Sequence, residues 1–162
     1  MQRNNMPLLI NLQLAVSGKQ IPGKKQFQSW ADAAGDICTG ENRELTIRVA
    51  GEQEVAELNS RYRHKTGPTN VLSFPFEDPP GLVTGVLGDL VLCAPVILRE
   101  AEEQDKTAEA HWAHMLIHGV LHLCGYDHIE PDQADEMEAL ETTILARLGY
   151  PPPYEGSALQ SL

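Results

Sequence analysis

Apolar and polar positions follow two different periods along the chain. Apolar side chains occupy every second position in residues 10–16 and 45–49, the period of a strand with one buried face. Residues 70–76 and 83–93 are rich in β-forming types. Pro75 predicts that the strand over 70–76 lies at a sheet edge or ends there, because proline cannot donate to a ladder. The pattern therefore predicts four strands.

Five other segments carry apolar residues at helical spacing. They are residues 24–38, 52–62, 95–104, 108–124 and 131–148. Thr107 is suited to cap the start of the fourth, and Gly125 and Gly149 follow the ends of the last two. The order β-α-β-α-β-β-α-α-α predicts an α+β (mixed α/β) fold, with a four-stranded sheet packed with about five helices.

Length and composition fit one compact domain. The chain has 162 residues, of which 42% are apolar. We expect a single domain over residues 1–150 and a flexible tail over 151–162, where prolines and small polar residues prevent regular packing. Three cysteines leave one unpaired in any disulfide scheme, which indicates a reducing compartment. With no apolar run near the ~20 residues of a membrane span, we expect a cytoplasmic protein.

Net charge restricts the function classes. The formal net charge of −11 argues against a general nucleic-acid binder, because affinity for phosphates comes from Lys and Arg. Residues 1–65, however, hold nine of the twelve basic residues against seven acids, whereas 66–162 hold three against sixteen. This asymmetry is compatible with RNA contact through one face, and equally with an ordinary solvated acidic surface.

The chemically most informative segment is HGVLHLCGYDH, residues 118–128. His118 and His122 are four apart on a helix and therefore point the same way. Gly125 can turn the chain back in a left-handed conformation and bring His128 to the same ion. Three imidazoles with an open fourth position are typical of a catalytic zinc site, since structural zinc sites normally have four protein ligands. The alternative is three ordinary surface histidines.

The sequence allows two interpretations for each of three neighbouring residues. His114 and His111 lie one and two turns before His118, and each turn adds about 5.4 Å, so ligation by them is awkward. They are polar groups of a cleft wall or partners of the ligands, or they have no special role. Asp127 either orients a ligand histidine or caps the turn.

Gly119 stands where zinc peptidases of the pattern H-E-x-x-H-x-x-G-x-x-H have their catalytic glutamate. A positioned general base contributes about 10²–10⁴-fold to the rate, so a peptidase without it would be slow. The ligand spacing matches such enzymes while the base is missing. A metallopeptidase is therefore the weaker hypothesis.

A cluster of cations precedes the third predicted strand. Arg61, Arg63 and Lys65 lie within five residues, between a helix end and a strand. A guanidinium binds phosphoryl oxygens with paired hydrogen bonds, which phosphodiester cleavage would use. Cations at a helix C-terminus also complement the helix dipole, worth about 0.3–1 kcal/mol, so spacing alone does not decide between the two.

With these residues assembled, the chain resembles the YbeY family of bacterial rRNA maturation endoribonucleases. The resemblance rests on LNSRYRHKTGPTNVLSFPFE, LGDL, AHWAHMLIHGVLHLCGYDH, EMEALE and LGY, and it covers residues 44–150. It implies a mixed four-stranded sheet and one zinc-type ion held by His118, His122 and His128. It also implies a functional arginine at Arg63, not Arg61.

The resemblance further implies single-strand RNA cleavage in 3′-end maturation of small-subunit rRNA and in ribosome quality control. The implied partners are the small ribosomal subunit, ribosomal proteins and a ribosome-assembly GTPase. His64 and Thr66 depart from the common Y-R-G-K-D wording. A non-catalytic ribosome-assembly factor with a structural ion is the alternative. Zinc is the expected ion, but three-imidazole sites also accept nickel, cobalt or copper.

Overall fold

In the computed structural model of the chain, residues 7–18, 20–37, 42–127 and 129–154 are described. The strands are β1 Leu9–Leu14, β2 Glu44–Ala50, β3 Val71–Pro75 and β4 Val86–Cys93. The helices are α1 Lys24–Gly35, α2 Glu52–Arg63, α3 Ala94–Glu103, α4 Ala108–Leu123 and α5 Pro131–Arg147. Their order along the chain is the predicted one.

The four strands form one mixed sheet in the order β1-β2-β4-β3. β1 is parallel to β2 and β2 to β4, whereas β3 runs antiparallel to β4. This sheet and the five helices confirm the predicted fold class. β3 lies at an edge of the sheet and ends at Pro75, as the missing proline N–H predicted. α4 packs against β3 and β4, so the helix that carries the histidines lies beside an edge strand.

The core lies mainly on the sheet face that α1 and α4 cover. Its large buried side chains include Phe27, Trp30, Leu45, Ile47, Val49, Leu90, Leu92, Trp112 and Leu116. A smaller cluster packs against α2 on the other face: Ala50, Val55, Leu72, Val91, Cys93 and Val96. Full burial of one such large side chain stabilises the fold by about 1.5–3 kcal/mol. α4 contributes to the larger cluster along its whole length, which fixes its position firmly.

Two element boundaries differ from the predicted ones by three residues, and the others by at most two. β4 begins at Val86, three residues later than expected. Asp78 holds the preceding segment as a loop, since its Oδ1 accepts hydrogen bonds from the Thr84 hydroxyl at 2.6 Å and the Thr84 amide at 3.3 Å. Gly85 then has φ of +87°, which a strand does not allow. α1 ends at Gly35, before the predicted end at 38, a position outside the described residues.

The two described cysteines differ from each other. Cys93 is a buried free thiol, whereas Cys124 is half-buried and disulfide-bonded. The disulfide at Cys124 does not agree with the reducing compartment that the cysteine count indicated. None of the helices in the described ranges is long and apolar enough to cross a membrane.

Candidate metal centre and its cleft

α4 carries the histidines and is buried on almost every side. Thr107 caps its start, and its Oγ1 accepts a hydrogen bond from the Ala110 amide at 3.1 Å, as the sequence predicted. Near its C-terminal end the helix borders a cleft of about 730 Å³, which the rings of His118 and His122 line. The two histidines are half-buried. Their backbone is rigid, while their rings remain accessible.

Gly119 faces the sheet rather than the cleft. A Cβ atom at this position would lie 2.8 Å from Leu90 Cδ2 and 3.2 Å from Val71 Cγ2. The Gly119 carbonyl accepts a hydrogen bond from the buried Ser73 hydroxyl at 3.2 Å, which ties α4 to β3. The missing side chain thus has a packing cause. There is no room for a glutamate at this position unless α4 moves away from the sheet.

The two cleft histidines face each other through their Nε2 atoms, 3.1 Å apart. Two imidazoles on one tetrahedral zinc, with Zn–N of about 2.0–2.1 Å, have nitrogens roughly 3.3 Å apart. The observed separation is close to this value, so the pair fits a shared divalent ion. The geometry follows from the i, i+4 spacing on α4.

The turn after α4 has the predicted form. Gly125 has φ of +98°, in the left-handed region, and its amide donates to the His122 carbonyl at 3.0 Å. Tyr126 donates to the Leu121 carbonyl at 3.0 Å. The expected third ligand, His128, lies outside the described residues. Within those residues no three His, Cys, Asp or Glu side chains form a group that could hold an ion, so the triad stays a prediction.

A buried carboxylate lies behind the cleft histidines. Glu141 of α5 is 0% exposed. Its Oε2 contacts Nδ1 of His118, and its Oε1 contacts the Tyr154 hydroxyl. Nε2 of His114 lies 3.2 Å from the same Oε1 and 3.2 Å from the Tyr154 oxygen. One carboxylate therefore joins α4, α5 and the segment after α5.

The partners of Glu141 keep its carboxylate ionised despite its burial. Burial raises the pKa of Glu141, but hydrogen bonds from His114 and His118 outweigh it and lower the pKa to about 2. Burial lowers the pKa of His114, against the opposing effect of Glu141. Burial and the Glu141 charge raise the pKa of Tyr154. An ionised carboxylate only accepts, so His118 Nδ1, His114 Nε2 and the Tyr154 hydroxyl are its donors.

His111 belongs to a second carboxylate group. It is 2% exposed, and its Nε2 lies 2.9 Å from Oε1 of Glu100. Asn70 Nδ2 donates to the two Glu100 oxygens at 3.2 and 3.3 Å, and Asn70 lines the cleft. His111 and His114 thus do not reach the cleft. Each contacts a carboxylate instead, and only the carboxylate at His114, Glu141, also contacts His118.

Arg63 reaches the same cleft from the end of α2. Its Nη2 donates to the backbone carbonyl of Ser73 on β3, and its Cζ lies 5.8 Å from the ring centre of Phe74. The residue after it, His64, ends α2 in a left-handed conformation with φ of +57°. This turn directs the chain toward Lys65, which also lines the cleft.

The two arginines of the cluster are separated by the structure. Arg63 lines the cleft with His118 and His122, whereas Arg61 lies in a shallow depression beside Glu57. Arg63, which the resemblance implies to be the functional arginine, therefore lines the same cleft as the histidines. Asp127 also lines the cleft. The roles of these side chains in a reaction remain predictions.

Four residues around the site were not predicted from the sequence: Glu141, Tyr154, Ser73 and Asn70. A signal for Glu141 exists, because it follows Met137 by four residues and precedes Ile144 by three. A carboxylate on an otherwise apolar stripe of a helix indicates a buried partner. Tyr154 could not be found in this way, because its contact depends on how the chain continues after α5.

The chain matches a known protein family over most of its length. The sequence model of a family described as "Endoribonuclease YbeY" matches residues 13–149. A relative named "Endoribonuclease YbeY" from Nitrosococcus oceani is 53% identical over 152 residues, covering 93% of this chain and 99% of the relative. The match spans α4, the cleft residues and Glu141.

A solved structure has a similar fold. The solution structure of TM1509 from Thermotoga maritima superposes with a TM-score of 0.54 at 28% sequence identity. The superposition covers 83% of this chain and 87% of that protein. The described arrangement of sheet and helices thus has a counterpart in an experimental structure.

Proposed function

Because this chain belongs to the Endoribonuclease YbeY family, we propose that it is a metal-dependent endoribonuclease that cuts single-stranded RNA. The observation that carries the proposal is that His118, His122 and Arg63 line one cleft. Imidazole nitrogens hold a divalent ion, and a guanidinium binds phosphoryl oxygens. The cleft therefore combines the two groups that phosphodiester hydrolysis uses.

We assign the ion to His118, His122 and the predicted third ligand His128. Zinc is the ion we expect, and nickel or another divalent metal suits the same donors. When bound, the ion would supply Lewis-acid activation of a water molecule and neutralise charge on a phosphoryl oxygen. The fit rests on the 3.1 Å separation of the two Nε2 atoms.

Arg63 binds the phosphate in this proposal. Its bond to the Ser73 carbonyl fixes the guanidinium at the cleft wall and uses only part of its donor capacity. Lys65 lines the same cleft and adds a second cation. In a chain with a net charge of −11, this local positive charge is what an RNA backbone would meet.

Peptide hydrolysis is the less favoured chemistry for this cleft. Gly119 packs against Leu90, so the helix cannot present the usual glutamate base from that position. Arg63 also contacts the backbone carbonyl of Ser73 on the edge strand. A peptide substrate that paired with this strand would compete for backbone groups that the arginine already uses.

The cellular role follows from the family resemblance. We place the activity in 3′-end maturation of small-subunit rRNA and in ribosome quality control in the cytoplasm. Ribosomal proteins and a ribosome-assembly GTPase are the expected partners. A non-catalytic assembly factor with a structural ion is the alternative, and it predicts that pure, metal-loaded protein leaves RNA intact.

The test uses two arginines of one helix. We expect Arg63→Ala to bind zinc as the wild type does and to cut a defined single-stranded RNA about 10²–10³-fold more slowly, because a charge-stabilising donor is lost. Arg61→Ala is the matched control and should keep wild-type cleavage. His118→Ala, purified in the same way, reports contaminating nucleases. A metal-loaded Arg63→Ala protein that cuts like the wild type would refute the assignment.

A further inference from the structure

The structure contains a carboxylate that core packing does not explain. Glu141 lies between Met137 and Ile144 on the buried stripe of α5, where an apolar side chain would pack without loss. Burying an ionised carboxylate costs several kcal/mol unless hydrogen bonds compensate for it. In this protein those hydrogen bonds come from the helix that carries the proposed metal ligands.

The contacts of the two carboxylate oxygens differ. Oε2 contacts Nδ1 of His118, on the side of the ring away from Nε2. Oε1 contacts Tyr154 and His114. With Oε1 held by two partners the carboxylate cannot rotate, so Oε2 stays directed at His118. A fixed acceptor at Nδ1 places the proton there and leaves the lone pair on Nε2, beside His122.

We propose that Glu141 is a positioning residue, which fixes the tautomer and ring orientation of His118 so that its Nε2 can bind the ion. This inference rests on the proposed function, because it needs a metal at His118. His114 and Tyr154 support the carboxylate without reaching the cleft. A carboxylate partner of this kind also makes the ligand nitrogen more basic and so strengthens metal binding.

The closing experiment measures zinc affinity apart from activity. Wild type, Glu141→Gln and Glu136→Gln, each as the full chain, compete for zinc with a chromophoric chelator. Glutamine has the size of glutamate, so the variant should fold, but its single acceptor oxygen cannot serve His118 together with His114 and Tyr154. We expect Glu141→Gln to weaken zinc binding about 10–100-fold. Glu136 is exposed on the same helix, and its variant should bind zinc like the wild type.

A second measurement separates positioning from simple support of the fold. Thermal unfolding of the metal-free proteins, followed by circular dichroism, reports the fold alone. A lower melting temperature of Glu141→Gln with an unchanged zinc dissociation constant would overturn the inference. A wild type that binds no zinc would overturn the inference and the metal part of the proposed function together. These two failures are therefore distinguishable.

Tyr154→Phe provides a milder variant in case Glu141→Gln does not fold. It removes only the hydroxyl that contacts Oε1 of Glu141. The carboxylate then keeps its contact with His118 but gains freedom to rotate. We expect zinc binding to weaken by roughly 2–10-fold, below the effect of losing the carboxylate. Wild-type zinc affinity in this variant, with the fold intact, would contradict the support role of Tyr154.

Discussion

Two pairs of histidines lie along α4, and their surroundings differ. His111 and His114 are buried, and each directs its Nε2 at a carboxylate from another helix. His118 and His122, one and two turns after His114, line the cleft and have their Nε2 atoms 3.1 Å apart. All four rings belong to one stripe of one helix.

The difference arises from the position along the helix, not from the residue type. In the first half of α4, Trp112 packs against Phe27 of α1 and His111 contacts Glu100 of α3, so an imidazole there needs an internal partner. In the second half, Gly119 contacts Ser73 of the edge strand β3, and His118 and His122 border the cleft. An imidazole at the cleft can direct a lone pair toward a ligand. We therefore expect the buried pair to contribute to stability and the cleft pair to the proposed chemistry.

The strongest disruption of this arrangement is a side chain between α4 and the sheet. Gly119→Glu would bring a charged group to a position where a Cβ atom already lies 2.8 Å from Leu90 Cδ2. We expect loss of the fold, because overpacking and burial of an unpaired charge add up to more than a domain's usual margin. Circular dichroism and thermal melting of the purified protein measure this.

The matched control is Gly119→Ala. A single methyl group requires only that the flexible end of Leu90 and one methyl of Val71 shift. The gain in helix propensity, about 1 kcal/mol, offsets part of that cost. We expect a folded protein whose free energy of unfolding changes by roughly 1 kcal/mol. A Gly119→Glu protein that melts like the wild type would show that the packing argument is wrong.

The second prediction compares one histidine of each pair. His122→Ala should weaken zinc binding by more than about 100-fold, because loss of a ligand exceeds loss of a ligand's partner. His111→Ala should keep zinc affinity but lower the free energy of unfolding by about 1–3 kcal/mol, because Glu100 loses a buried donor. Chelator competition and urea unfolding of the metal-free proteins measure the two effects.

The distinction between the buried and the cleft histidines is wrong if His111→Ala and His122→Ala behave alike. A His111→Ala protein with strongly reduced zinc affinity would place that ring in the metal site. A metal-free His122→Ala protein that unfolds as easily as His111→Ala would show that the cleft pair also stabilises the fold. Either result removes the distinction between the two halves of α4.

The smallest expected effect concerns another histidine, His64. Its φ of +57° costs a side chain about 1–2 kcal/mol, whereas glycine adopts this conformation freely. His64→Gly should therefore raise the free energy of unfolding by about 1 kcal/mol, measured by the urea midpoint. His64→Ala is the control, because it removes the ring but keeps the strain. An Ala variant as stable as the Gly variant would contradict the backbone explanation.

Much of the fold was predictable because its signals are local. Alternation in residues 45–49 and helical spacing in 108–124 each reflect the geometry of a single element. Pro75 predicted the edge strand, because proline has no backbone N–H to donate to a neighbouring strand. The start of β4 was not predictable, because it depends on the side chain of Asp78 holding Thr84 six residues later.

The candidate site also has features that were predictable from local sequence and features that depend on distant contacts. The pairing of His118 and His122 follows from their spacing on one helix, and the left-handed Gly125 follows from its place after that helix. Glu141 reaches His118 only because α5 packs on α4, which spacing does not encode. From the sequence, Gly119 marks the absence of a catalytic base. Its contacts show that packing against the sheet requires a small residue at this position.

The docking of α5 has a consequence for the order of folding. Until this helix packs, Glu141 and its donors on α4 remain hydrated, and His118 has no fixed orientation. Dehydrating the carboxylate before its partners arrive would be costly, so we expect the docking and the polar contacts to form in one cooperative step. A chain that is synthesised or refolded only as far as α4 has His118 and His122 but no carboxylate to orient His118. We therefore expect the ability to hold the proposed ion to arise late, together with a closed core.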